Sequence, residues 1–563
     1  MKKRNFIFPG INLILITFLI TNCSFDSAEQ RNIESTATIP ASTESVFVPT
    51  QDHLGVESNS DLDPRLLWLE PELQQQISLD NIEFSFDDTT TIKEDALFWV
   101  ETHIAMNSPS VLIFEKYYVL TVPFMSGYEN FSMKEISEIW SGKNNDPDKF
   151  QIWINDSAVR DLINIFGVDP GENVIISENI PASCDYENCL RIIDFSDIEP
   201  RWKVISVDQQ SPLASGFNNL AYPLVVSAWM NNNPMMEEDI DFEPIIKPST
   251  NFDPSNLTSV LLTGTTALVR NTAYQIEQYG YDFPSKKLKS LFDSVDILHI
   301  SNEVPFYSSC PPAIPVRPEM RFCSDPSYIE VFKNIDVDVV ELTGNHLLDW
   351  GPEAFLETIS IYEKNGINFY GGGVNKDEAG IPYKFEHNGN KIAFLGCNVT
   401  GPENNWATED RPGALLCDLD TIEDEIGQLV SNGYNPIFTF QHFEFNTFRA
   451  TTQMREDFSR MAQAGAVVVS GSQAHYPQGM DFVDSSFIHY GLGNFFFDQM
   501  YTYWGKAIID IHYFYNNHYI NTHQIAIINE NFGQPRIMTT EEKLILLDKL
   551  YNNSFYFDQD KEE

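Results

Sequence analysis

The chain has 563 residues, too many for one compact domain; at roughly 100–200 residues per domain it divides into about two to four folded units. Hydrophobic residues make up 42% and aromatics 13%, which is ample core material and excludes wholesale disorder. Lys+Arg number 35 against 81 Asp+Glu, and the net charge of −46 disfavours binding to nucleic-acid phosphates and charge-driven docking on anionic lipid.

Met1-Lys2-Lys3-Arg4 is a basic start, followed by an apolar run from Ile11 to Ile20. The run is shorter than the ~20 apolar residues a membrane span needs. It ends Ile20-Thr21-Asn22-Cys23, and residues 1–23 resemble a bacterial lipoprotein signal peptide with Cys23 as the lipidated residue. Asn22 departs from the small residue usual at that position; ordinary signal cleavage or a retained anchor are the other readings. The resemblance implies an extracytoplasmic protein, lipid-anchored to the cell membrane. Residues 24–65 are rich in Ser, Thr, Glu, Asn and Pro, and read as a flexible linker, because such a stretch buries too little apolar surface to offset its ordering entropy.

Of seven Cys, six remain after Cys23, in neighbouring pairs: Cys184/Cys189, Cys310/Cys323 and Cys397/Cys417. An even count in an oxidising compartment makes these disulfide candidates, although six Cys allow 15 connectivities and buried free thiols are the alternative.

Residues 78–250 read as a first α/β domain. Ala96 to Ile104 is a strand or a helix start, and Tyr117 to Pro123 is a short strand by its β-branched and aromatic content. Ser132 and Glu135 form a capping box opening a helix whose apolar face is Met133, Ile136, Ile139 and Trp140, and Gly142 ends it. The stretch VPFMSGYENFSMKEISEIWSGK resembles the type 2 extracytoplasmic solute-binding proteins, the phosphate-binding branch most of all. That resemblance implies recognition of a small anionic solute. The Ser/Thr-Gly phosphate-cradling loops of that branch are not evident. A Pro-, Asn- and acid-rich patch from Asn231 to Pro254 follows, with a domain boundary near 252.

From 256 to 530 strands and helices alternate, which predicts an α/β domain. Strands are expected at 259–263, 295–300, 337–342, 391–396, 436–441, 466–470 and 486–490, and helices at 353–364 and 452–464. Residues 531–563 read as a C-terminal extension. Polar clusters follow the strands, where α/β sheets build ligand sites. They read Thr263-Gly264-Thr265, Ser301-Asn302-Glu303, Thr343-Gly344-Asn345-His346, Gln441-His442-Phe443-Glu444, Ser470-Gly471-Ser472-Gln473-Ala474-His475 and Tyr490-Gly491-Leu492-Gly493-Asn494.

This order, with TGNHLLDWG and HYGLGNFFFD, resembles the CapA family of poly-γ-glutamate capsule synthesis proteins over roughly 259–500. The resemblance implies a calcineurin-like metallophosphoesterase-type layered α/β sandwich, a role in capsule or envelope polymer synthesis, and a divalent metal such as Mn or Zn. Carried over residue by residue, Glu303, Asn345, His442 and His475 are the implied metal ligands. His346, Asn345 and Glu303 are the implied catalytic groups. All five are expected in one cleft, with Thr265 and Gln473 on its wall. Several positions depart from the family. Thr265 replaces an Asp, Ser301 an Asn, Ser472 and Gln473 two His, and Glu444 falls out of register. What is left suits one ion at reduced affinity, or none.

Structural roles compete with each assignment. Asn345 suits a left-handed turn, His346 a strand-end cap, Asp349 the N-cap of the next helix, His475 a satisfied loop, and Gly371-Gly372-Gly373 a turn. Two functions stay open: a metal-dependent hydrolase or transferase of envelope polymer, and a non-catalytic surface protein binding a solute or polymer.

Overall fold

The computed structural model describes residues 66–70, 88–90, 98–102, 110–143, 150–178, 188–232, 248–316 and 320–554. Cys23, the expected linker and Cys184 lie outside them.

Alternation along the strands after residue 256 builds the layers. In Leu257–Leu262, Val260 and Leu262 face one core, and Leu261 faces another. Ile392, Phe394 and Ile437 join the first of these cores, whereas Ala393, Leu395, Phe438 and Phe440 face a third. Successive strand side chains point to opposite faces, so two sheets share the middle core and each is covered outside by helices. Burial of each such side chain contributes about 1.5–3 kcal/mol.

The first sheet runs Asn368–Tyr370, Val339–Glu341, Ile297–Asn302, Leu257–Leu262, Lys506–Tyr515, His518–Glu530 and Gln534–Ile537. Its first four strands are parallel, and Lys506–Tyr515 joins Leu257–Leu262 antiparallel. The second sheet runs Tyr383–His387, Asn390–Asn398, Asn435–Gln441, Val468–Ser470, Ser486–His489 and Met480–Val483, parallel through its middle four. This is the expected layered α/β sandwich. Parallel strands align their carboxyl ends, so the polar clusters emerge on one side.

The seven expected strands and both helices are present, with ends shifted by at most two residues. The long hairpin Lys506–Tyr515 and His518–Glu530 is not among the predicted elements. Its apolar run is broken by Asp510 and His512, both fully buried here. Residues 534–551 extend the first sheet and bury Leu546, Leu547 and Leu550 of the helix Thr540–Tyr551 in the middle core.

Before residue 256, the 14-residue strand Ser110–Pro123 organises an 11-stranded mixed sheet. Phe98–Glu101 is one of its strands, and the Ser132/Glu135 capping box opens the helix Met133–Trp140. Asn521 Nδ2 donates to Trp202 O at 2.7 Å and Phe124 packs on Phe482 and Phe487, so this sheet is joined directly to the sandwich. Two disulfides close local loops, Cys310–Cys323 and Cys397–Cys417, and Cys189 is also disulfide-bonded.

The middle core holds buried imidazoles. His299 Nε2 lies 2.9 Å from Tyr370 Oη and 3.8 Å from Glu341 Oε2. His512 Nδ1 lies 2.6 Å from Thr522 Oγ1, with Asp510 and His489 beside its ring. Burial pushes His299 down to about 3, helped by the nearby His512, and His512 down to about 4 against the pull of Asp510. Both stay neutral in the folded chain, whereas in the unfolded chain they titrate near the ordinary 6.5. Below that pH the unfolded state takes up the protons, so stability is lost as pH falls from about 6.5 towards 4, by about 2 kcal/mol per histidine at pH 5. In urea titrations at pH 7.5 and pH 5, His512→Gln should show a smaller loss between the two than the parent chain. An equal loss in both would contradict this.

Candidate functional site

Glu303 follows Ile297–Asn302 and is 1% exposed. The backbone of Gly344 lies against it so closely that a Cβ there would stand 2.7 Å from Glu303 Cα. The loop carrying Asn345 and His346 is thereby seated on Glu303. His475, from the loop after Val468–Ser470, places Nε2 3.2 Å from Glu303 Oε1 and 3.6 Å from Glu444 Oε1. Its Nδ1 donates to Asn494 Oδ1 at 2.7 Å, and Asn494 is held by Gln499 and the Trp504 carbonyl. The imidazole lies nearly parallel to the rings of Phe497 and Trp504, with centroids 5.2 and 6.3 Å away. Tautomer and ring plane are set from behind, leaving Nε2 to face two carboxylates.

Glu303, Glu444 and His475 can each bring one ligand atom within 4.8 Å of the others, the one such group among the described residues. Their charges are mutually adjusted. Burial resists the charge on His475, but Glu303 and Glu444 outweigh it and raise its pKa to about 9. Burial works against the Glu303 carboxylate as well, and His475 holds it below the usual range. Glu444 is pushed up by burial and by Glu303.

His346 stands at the edge of the group. Its Nδ1 pairs with Asp349 Oδ2 at 2.8 Å, and its ring meets the edge of Phe322. Burial lowers its basicity, while Asp349 and Glu303 raise it further, for a net increase. Asp349 is not the cap of the following helix. Gly351 is the N-cap of Pro352–Asn365, and the Asp349 carboxylate instead takes His346 and the Phe322 amide, at 2.7 Å. Asn345 has no left-handed backbone, and its Oδ1 is buried without a hydrogen-bond partner among the described residues. It begins a turn without a left-handed backbone.

His442 is turned elsewhere. Its Nε2 lies 3.0 Å from Asp457 Oδ2 of the helix Thr452–Ala464, and its Nδ1 is buried without a hydrogen-bond partner. The carboxylate two residues on, Glu444, joins Glu303 and His475 instead. Sequence register hid this, because the loop after Gln441 lacks the family's glycine and takes its own path.

The substituted positions line the same strand ends. Thr265 pairs with Ser301 in parallel register and bridges to Asn494, with its hydroxyl buried and unpartnered among the described residues. Both amide atoms of Gln473 are likewise buried without a partner. Ser472 is engaged: its hydroxyl donates to Glu341, which also accepts from Thr343 at 2.6 Å. Burial pushes the Glu341 carboxyl up. Ser472 is thus tied into the interior of the sandwich.

These donors fit one divalent ion. Two carboxylates offset its charge, and His475 Nε2 offers a borderline nitrogen at a compatible separation. They do not make a second full set, because Thr265, Ser472 and Gln473 bring no charge. When bound, such an ion polarises a phosphoryl or carbonyl oxygen and acidifies water. The chain itself excludes solvent around Glu303, orients His475 through Asn494, and places the Asp349–His346 pair where a proton can be held at Nε2 of His346.

Replacing His475 with Ala should weaken Mn²⁺ or Zn²⁺ binding at least about tenfold, whereas His442→Ala should change it by less than about threefold. Calorimetric titration, with circular dichroism as the folding control, checks this; equal effects of the two changes would contradict the assignment.

Residues 259–499 match the family described as bacterial capsule synthesis protein PGA_cap. A capsule biosynthesis protein CapA of Bacillus anthracis is 24% identical over 165 residues, covering 28% of this chain and 40% of the relative. A PGA biosynthesis protein CapA of Bacillus subtilis (strain 168) is 22% identical over 216 residues, covering 38% of this chain and 56% of the relative. The chain therefore spans about half the length of these relatives or less. Among solved structures, the NAD nucleotidase of Haemophilus influenzae aligns with a TM-score of 0.31 and 12% identity, over 52% of this chain and 55% of that one. Over residues 259–499 the chain is thus similar to the PGA_cap family.

Proposed function

We propose that the chain serves the synthesis or handling of a capsule or envelope polymer, with a single divalent cation held by Glu303, Glu444 and His475. The convergence of these three groups from separate strand ends is the observation that carries the reading. The CapA relatives supply the biological setting: both are described as biosynthesis proteins, one of capsule and one of PGA. In this reading the ion activates a phosphoryl or carbonyl group. His346, oriented by Asp349, handles a proton, and Asn345 supplies a neutral oxygen. Mn²⁺ and Zn²⁺ both accept this donor set.

A second reading has an observation of its own. Ser472, at a position where the family carries a histidine, is spent on Glu341, and Thr265 and Gln473 are neutral. A non-catalytic protein that binds an envelope polymer or a small anionic solute would tolerate all three. Metal analysis after dialysis against Mn²⁺ or Zn²⁺ separates the two. Roughly one equivalent, lost in Glu303→Gln, supports the first reading; none, with the fold intact, supports the second. In a host lacking the chain, surface polymer should be restored by the parent gene and not by Glu303→Gln if the cation site is used.

We further propose that the chain is exported and tethered by lipid at Cys23, through the basic start and short apolar run before it. Among the described residues no helix is long and apolar enough to cross a membrane. Labelling with a fatty-acid probe should mark the parent chain and spare Cys23→Ser. Equal labelling would overturn the tether.

A further inference from the structure

The second sheet carries a cavity that shares no residue with the Glu303–Glu444–His475 group. It has a volume of about 220 Å³ and lies where the helix Leu419–Ser431 and the short helix Lys376–Ala379 meet the sheet. A single water needs only ~10–15 Å³ on this measure.

Its floor is apolar: Leu395, Ile422 and Phe438 are each 6% exposed or less. Its mouth is apolar too, with Ile381 62% and Leu416 42% exposed. Large aliphatic side chains left in water around an opening that leads to an apolar floor mark a binding cleft better than a packing fault. The walls are tied together, because Cys397–Cys417 joins the end of Asn390–Asn398 to the segment that enters Leu419–Ser431.

The polar groups at the rim are mostly acidic. Asp377 is exposed and Glu425 half-buried, and neither has an ion-pair partner among the described residues. Asp418 accepts only from the Thr421 hydroxyl, at 2.9 Å. Lys376 is the single basic residue among the lining groups. An apolar body is accommodated inside while a positive charge is favoured at the opening.

We propose that this cavity is a binding site for a small organic cation with an apolar body, such as an arylalkylammonium, its ring against Leu395, Ile422 and Phe438 and its charge beside Asp377 and Glu425. The site is separate from the cation centre and stands whether or not that centre is catalytic.

Three naphthalene probes of one shape test it: 1-naphthylmethylammonium, the neutral 1-naphthylmethanol and 1-naphthylacetate. Fluorescence titration at moderate salt suppresses the overall charge of the chain. The ammonium should bind most tightly and the acetate most weakly. In Asp377→Asn with Glu425→Gln, ammonium affinity should fall about five- to tenfold, while binding of the neutral probe stays unchanged. Gly380 borders the cavity with an ordinary backbone, and a Cβ there would meet Leu415 at 3.8 Å, an ordinary contact. Gly380→Phe should therefore fold, with Cys310–Cys323 and Cys397–Cys417 formed, and should abolish binding of all three. The proposal is overturned if the ammonium fails to bind the parent chain at millimolar concentration, if it binds no better than the acetate, or if its binding survives the Phe substitution in a folded variant.

Discussion

The contact between His475 Nε2 and the Glu303 carboxylate, in a site almost closed to water, governs the chemistry of the cleft. A lone buried carboxylate would be costly and would take up a proton. Here Glu303 is kept ionised by an imidazole that is itself oriented by Asn494 and lies nearly parallel to two aromatic rings. The pair is therefore oriented by its surroundings, and His475 would give up its Nε2 proton on meeting a cation. Glu444 adds a second carboxylate that the other two groups leave short of positive charge. Three residues from three loops thus form one electrostatic unit, in which His475 is raised by both carboxylates and Glu303 is held down by His475.

The sandwich explains why those loops meet. Four parallel strands in each sheet point their carboxyl ends to one side. The alternation of Val260, Leu261 and Leu262 between two cores keeps the sheets face to face. The middle core nevertheless contains His299, Glu341, His489, Asp510 and His512, all fully buried. These groups are satisfied partly by hydroxyls, such as Thr343 and Ser472 on Glu341 and Thr522 on His512. Ser472 belongs to both worlds. By sequence it is a strand-end residue of the cleft, and by its hydrogen bond it serves the interior.

Neutral residues stand beside this charged group at the same strand ends. Thr265, Ser472 and Gln473 bring no charge to the strand ends, and the donors that converge there are Glu303, Glu444 and His475. Glu444 supplies the second carboxylate of the group, from the loop after Gln441. An ion held there would meet two carboxylates and one imidazole whose orientation is set through Asn494.

Much of this was legible in the residues. The strands of the sandwich follow from short β-branched and aromatic runs, the capping box at Ser132 from Ser and Glu three apart, and the strand-end placement of Glu303, Asn345, His346 and His475 from the polar clusters behind each run. Local spacing suffices for these because each depends on neighbours in sequence. Other features were decided only in three dimensions. His442 turns to Asp457, Asp349 holds His346 instead of capping a helix, Glu444 enters the cation group, and the hairpin 506–530 completes the first sheet despite its Asp and His. The physical reason is the same in each case. The face a side chain presents, and whether a charged residue can be buried, depend on partners that the fold brings from distant parts of the chain, and no local pattern encodes them.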